Sequence, residues 1–363
     1  MKTVKFVVDD KMQREFAAAV RKNVNAYFTD NNISPKGDAT IVIQSVTMLS
    51  LYLVPFMVLL FVPMGAWPAF LLVVLMGIGM AGVGMCIMHD AVHSSYSKAE
   101  KINKFLSFFS MFLLGSSVFT WKIQHNILHH TYTNIDGHDH DIDSKGPIRL
   151  SDHVPVKPIH RFQYLHAFFF YGLMSFSKLM SDFRQMREYT REGFSKRYNI
   201  NPTTAYIRMV VAKIGYLALF IGLPVWLTPF SGWQIFSAFM IMHWTGGFIM
   251  STIFQMAHIV EGASQYELAE SGVVPTDWAV HQLYTTSDFA RGNQFLNWYV
   301  GGLNFQIEHH LFPNISHVHY QKIAPIVERT ALEYGLFYNL KPTLSSAFWS
   351  HVRRLKQLGG VPV

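Results

Sequence analysis

The sequence predicts an all-α integral membrane protein, with four transmembrane helices in two hairpins and a cytosolic helical cap that holds a metal site. Three observations predict it. Half of the 363 residues are hydrophobic and only 15% are charged, against about 25% in soluble proteins. Residues 39–88 and 214–260 contain no Lys, Arg, Asp or Glu. Seven of the eighteen histidines fall in three tight groups, each beside a long apolar segment.

The elements follow in order. Residues 1–38 form a polar N-terminal segment, where Met12, Phe16, Val20, Val24 and Phe28 recur every four residues and predict a helix over 10–31. Each uncharged stretch is about twice the ~20 apolar residues that cross a bilayer, so each reads as a hairpin. Pro63 to Pro68 divides the first into spans near 41–62 and 69–88; Pro224 to Trp233 divides the second into spans near 210–228 and 233–257. Trp67, Trp226 and Trp233 suit the headgroup level. All thirty Lys and Arg lie in 1–36, 98–213 and 291–356, and neither hairpin turn has one. The positive-inside rule therefore places both termini and the long middle segment in the cytoplasm. Segments 103–121 and 162–181 are apolar but interrupted by polar residues, and read as helices lying in the interface. Further helices are expected near 278–300 and 318–336, before a C-terminal tail over 351–363.

Composition narrows the partners. The net charge of +7 is explained by topology and by attraction to anionic membrane lipid. No nucleic-acid motif accompanies it, so no nucleic-acid partner is expected. Cys86 is the single cysteine, which excludes an intrachain disulfide and multi-cysteine zinc or iron–sulfur sites.

The histidine spacing carries the chemistry. His89 and His93 in H-D-A-V-H stand four apart, on one face of a continuing helix. His125 and His129 in H-N-I-L-H-H repeat that spacing, and His130 is expected about 100° away, toward a second metal. Gln306, His309 and His310 in Q-I-E-H-H stand at i, i+3 and i+4, and His258 closes the fourth span. Imidazoles without thiolates suit Fe, Zn, Cu or Ni. Eight candidates exceed the four ligands of a structural zinc and point to two metals. Asp90, Asp139 and Glu308 are candidates to ligate a metal directly or, the favoured reading, to orient ligand imidazoles from behind; Gln255 and Gln306 can do the latter or bond a metal-bound water, while Asp141 reads as a solvated carboxylate. His138 and His140 carry no ligand reading. His243 lies mid-span, as a hydrogen-bonded helix contact or a tunnel-lining group. His281, His317 and His319 read as structural or as outer partners of the third group.

These groups resemble the three histidine boxes of membrane fatty acid desaturases. W-K-I-Q-H-N-I-L-H-H-T-Y-T-N-I (121–135), H-R-F-Q-Y-L (160–165) and W-Y-V-G-G-L-N-F-Q-I-E-H-H-L-F-P (298–313) are similar to the front-end and bacterial acyl-lipid or acyl-CoA branch, where glutamine replaces the first histidine of the third box. The resemblance runs from the first span to about residue 320. It implies a desaturase domain over 39–350 with a non-haem di-iron centre. The ligands it implies are His89, His93, His125, His129, His130, His258, His309 and His310. It further implies that dioxygen and two electrons place a cis double bond in a fatty acyl chain, carried as acyl-CoA or acyl-lipid. Many front-end members carry a fused cytochrome b5 domain with an H-P-G-G motif; this sequence has none, so a separate donor is expected, a ferredoxin or a cytochrome b5 with its reductase. Hydroxylases, acetylenases and conjugases share the scaffold and remain alternatives. A membrane metal transporter is the reading from another class, and would need a path of polar ligands where only His243 stands mid-span.

Overall fold

The computed structural model describes residues 4–8, 10–142, 146–268 and 271–360, so the last three residues of the expected tail lie outside it. The described chain is mostly helical; its strands are two short parallel pairs, Lys5–Phe6 with Val273–Val274 and Asp288–Phe289 with Leu340–Lys341. Contacts divide it into an apolar unit, Asp38–Ile123 with Phe168–Thr252, and a second unit, Met1–Gly37 with Gln124–Ala167 and Ile253–Val363.

In the apolar unit, three helices are long and apolar enough to cross a membrane: Ala39–Phe61, Ala66–Val92 and Pro202–Leu227. They turn apolar side chains outward, as a lipid-facing surface requires: Val42, Ile43, Val46, Met57, Leu71, Ile207, Val211 and Ile214 are all exposed. Trp67, Trp226 and Trp233, near the two hairpin turns, are also exposed. The third span begins eight residues before the expected 210, because the helix continues through Arg208 and Lys213 to an Asn201 cap and Pro202. The fourth expected span is one helix, Gly232–His258, in which Gln, Thr, Gly and His dilute the apolar residues, and it is not among the three.

Close helix packing in the first hairpin depends on Gly79. A Cβ there would lie against the Tyr52 amide and 2.6 Å from the Leu51 carbonyl carbon, both backbone atoms that cannot rotate away. Gly79→Leu is expected to destabilise the unit by about 3 kcal/mol, the upper end for overpacking. Thermal unfolding in detergent measures it, with Gly65→Ala as a neutral control because nothing lies within 4 Å of that site.

Segment 103–121 is not one helix. Glu100–Leu113 ends in a turn at Gly115, whose φ of +65° favours glycine, and a new helix starts at Val118. Glu100–Leu113 presents Ile102, Phe105 and Phe108 outward and buries Asn103, Ser107 and Ser110, the inverse of a water-facing helix. Segment 162–181 likewise divides, into Gln163–Gly172 and Met174–Arg191. His243 is a hydrogen-bonded helix contact: its Nδ1 lies 2.9 Å from Ser175 Oγ and its Nε2 2.7 Å from Tyr216 Oη.

The second unit has its own core. Helix Lys11–Asp30 buries Phe16, Val20, Val24 and Phe28; they pack with Ala279, Leu283, Ile307, Leu311, Ile323 and Val327. Met12, expected on the same stripe, sits in the first turn and is exposed. The expected 278–300 helix is broken into Trp278–Thr285 and Gln294–Tyr299 by strand Asp288–Phe289, and the next helix is Tyr320–Glu333. These breaks place Gln306–Leu311 as a separate short helix inside the unit, with all six residues buried.

Candidate metal centre

The second and third histidine groups and His258 all belong to the second unit. The second group is wound on a π-helical turn, Lys122–His129, followed by an α-turn at His130–Tyr132. A π-turn repeats at i+5 rather than i+4. It brings the His125 and His130 rings to 4.8 Å, with their Nε2 atoms 3.3 Å from each other, while the His125 and His129 rings stay stacked at 5.2 Å. One donor nitrogen each from His129, His258 and His310 lie within 4.8 Å of one another, and all three side chains are buried. The Nε2 atoms of His129 and His258 are buried with no hydrogen-bond partner. On the short third-group helix, His309 and His310 diverge. His309 packs on His130 at 4.5 Å and on His125 at 5.9 Å; His310 packs on His129 at 4.8 Å and on His258 at 4.9 Å, and stacks on His130 at 4.4 Å. Phe254, one turn before His258, covers the His129 and His258 rings at 5.1 and 4.8 Å and helps keep the nest dry.

Each Nδ1 that the third group and its neighbours turn away from the nest is held. His310 Nδ1 lies 2.9 Å from Gln282 Oε1 and 3.2 Å from Thr133 Oγ1; His309 Nδ1 lies 3.1 Å from Tyr320 Oη; His258 Nδ1 lies 3.4 Å from the Thr285 carbonyl. His129 Nδ1 lies 3.0 and 3.2 Å from the two Asp139 oxygens and 3.5 Å from Asp141 Oδ2. Burial alone would lower the His129 pKa, but the Asp139 carboxylate outweighs it and the pKa is raised. Burial pushes Asp139 up, and His129 with the backbone N–H groups of Asn134 and Asp141 brings it below its ordinary value. Asp141 is not plain solvated surface, since it also accepts from Gln124. Fixed Nδ1 atoms with buried Nε2 atoms aimed at one small volume form a donor set that fits a metal ion.

In the apolar unit, His89 and His93 are buried at the end of their span with rings 4.8 Å apart, and Trp121 stands edge-on to both at 5.9 and 6.0 Å. Asp90 is buried, and its carbonyl accepts from Ser95. Gln306 donates to the Leu303 carbonyl at 2.9 Å and keeps a buried Oε1 without a donor, as does Gln255. His281 is structural: its Nε2 lies 2.8 Å from the Thr133 carbonyl, and burial lowers its pKa to about 4.

Glu308 serves a different set of groups from the one its neighbours suggest. Tyr338 Oη lies 2.7 Å from Asp288 Oδ2 and 2.9 Å from Glu308 Oε1. Burial and the Asp288 charge raise the Glu308 pKa well above the usual carboxylate range. One phenolic proton cannot serve two ionised carboxylates at once, so the buried pair favours the protonated form of Glu308. Glu308→Gln is therefore expected to change stability by less than about 1 kcal/mol and to leave metal content intact, whereas Glu308→Ala costs about 1–3 kcal/mol by stranding the buried partners; thermal unfolding and metal analysis check both.

The chain matches the family described as fatty acid desaturase over residues 65–342. It is 32% identical to an sn-1 linoleoyl-lipid 6-desaturase of Arthrospira platensis, across 94% of this chain and 92% of that protein. It is 32% identical to the enzyme of the same name from Synechocystis sp., across 96% of each, and 31% identical to an acyl-lipid (8-3)-desaturase of Physcomitrium patens, across 96% of this chain and 73% of that protein. Buried imidazole donors, apolar spans and these similarities agree: the chain belongs to the fatty acid desaturase family, the membrane oxidoreductases that use oxygen to desaturate fatty acyl chains.

Proposed function

We propose that this desaturase acts on acyl chains of glycerolipids and places the new cis double bond on the carboxyl side of an existing one. The relatives named as acyl-lipid desaturases support both the carrier and the front-end position. The observation that carries the metal reading is the convergence of His129, His258 and His310 donors in a chain of this family. Two iron ions are the metals proposed. His129, His258 and His310 hold one; His125, His130 and His309 contribute to the other; His89 and His93, buried and four apart in the apolar unit, keep the ligand role that their match to the first histidine box gives them. Gln306, Gln255 and Asp90 serve as outer partners. When bound, the irons supply the oxygen chemistry that takes one hydrogen from each of two adjacent methylenes.

The protein's part is placement and exclusion of water. Thr133, Gln282, Tyr320, Thr285 and Asp139 fix the imidazole orientations by engaging Nδ1, which turns Nε2 toward the metal. Phe254 and the buried core around Gln306–Leu311 keep bulk water from the donors. No side chain need act as acid or base on the substrate. The distribution of Lys and Arg supports four spans, the least apolar ending at His258, with both termini and the metal centre on the cytoplasmic side. Electrons arrive from a separate ferredoxin or cytochrome b5.

Expression in a host without polyunsaturated lipids, fed linoleate, tests the reading. Mass spectrometry that locates double bonds should find a new one between the carboxyl and the existing pair, labelled in glycerolipid before the CoA pool. An added oxygen atom would refute desaturation. Label appearing first in acyl-CoA would refute the carrier.

A further inference from the structure

The support behind His129 is anionic, and it is built rather than incidental. Asp139 is fully buried. Its two oxygens face His129 Nδ1 at 3.0 and 3.2 Å, while the Asn134 amide at 2.8 Å and the Asp141 amide at 3.0 Å hold the carboxylate from the other side. Asp141 adds a second carboxylate 3.5 Å from the same nitrogen. The loop that presents them turns through Asn134 and Gly137, both at positive φ. It is pinned by the Asn134 amide nitrogen, within 3.1 Å of the His258 carbonyl and 3.2 Å of the Thr285 carbonyl. Thr285 is the residue behind His258. One asparagine therefore ties the mounts of two members of the His129, His258, His310 nest together.

A carboxylate on the far nitrogen makes an imidazole a stronger donor, and negative charge beside a metal favours its higher oxidation state. We propose that Asp139, supported by Asp141, is a positioning residue that lowers the reduction potential of the metal held by His129, His258 and His310. This rests on the two-iron reading above. Asp139 touches neither metal nor substrate; it acts through His129. The role goes beyond orientation, because a neutral acceptor of similar shape would hold the ring without supplying the charge.

The test is a potentiometric titration of the purified, iron-loaded full chain, followed by Mössbauer spectroscopy, for wild type, Asp139→Asn, Asp139→Glu and Asp141→Asn. Iron is counted first. Fewer than two irons in wild type would sink the two-iron reading itself, separately from this proposal. With two irons present, Asp139→Asn should ease reduction of one iron by at least tenfold, about 59 mV for one electron, and shift one of the Mössbauer components. Asp139→Glu should stay within threefold of wild type, and Asp141→Asn should move the same iron in the same direction by less. If Asp139→Asn sheds its iron, the Asp141→Asn titration decides. Unchanged potentials in whichever of these two variants keeps both irons would overturn the proposal, and so would an equal shift in Asp139→Glu.

Discussion

Alanine at His310 should abolish the new fatty acid and leave the purified chain with no more than half its iron. His310 offers a donor to the nest shared with His129 and His258, and its removal leaves two of the three donors that converge there. Loss of an outer partner alone typically costs 10–100-fold in metal affinity, so loss of the ligand costs more. The change also removes the His310 Nδ1 contact of Thr133 and Gln282, which keep their own hydrogen bond at 2.7 Å. His138→Ala is the matched control. It is also buried and lies only a few residues from the second group, but its Nδ1 meets the Asp136 carbonyl and its ring packs on Tyr132. Product should survive there. Fatty acid profiles and elemental analysis of both purified variants decide. Full product from His310→Ala would remove that residue from the ligand set.

The difference between His310 and His138 follows from the resemblance to the histidine boxes, since His138 in G-H-D-H-D is closely spaced too but matches no box position. The apolar spans are legible in the amino-acid sequence itself, where the absence of charge over fifty residues leaves little choice. Helical spacing does not foresee that His130 meets His125. It presumes an α-helix, and a single π-turn changes which histidines meet. Nothing in H-N-I-L-H-H distinguishes the two windings, since the preference depends on what the turn packs against. The residues that hold the ligands are equally hidden. Gln282 reaches His310 across 28 positions and Thr133 reaches it across 177, and Tyr320 follows His317 and His319, which are the more conspicuous donors of that stretch. Tyr338 and Asp288, which engage Glu308, come from segments that carry either a helical pattern or none. Long-range partners of this kind leave no periodic signal. The third span differs from expectation for a simpler reason: the charge-free stretch begins only after Lys213, whereas the helix runs back through Lys213 and Arg208 to Pro202.

Lys213 makes the second large prediction. Its ammonium lies 2.9 Å from Asp182 Oδ2, and the pair is nearly fully buried, with side chains 7% and 2% exposed. It also donates to the Gly115 carbonyl at 2.8 Å and the Lys178 carbonyl at 3.1 Å, while Asp182 accepts from the Ser117 amide at 3.0 Å and Thr120 Oγ1 at 2.7 Å. The pair thus clamps the turn at Gly115 and the start of the helix that carries Trp121 to the His89 and His93 rings. Lys213→Met leaves a buried carboxylate without its cation and should cost about 3–5 kcal/mol, whereas exchange of both members for apolar residues is often neutral. Asp182→Leu together with Lys213→Met should therefore be more stable than Lys213→Met alone, although the Ser117 amide and Thr120 then lose an acceptor. Thermal unfolding of the single and double variants in detergent gives the coupling between the two sites. Strictly additive losses would show that the charges do not act as a pair. A double variant that recovers stability but not product would show that the clamp also sets the geometry of Trp121 and its two histidines.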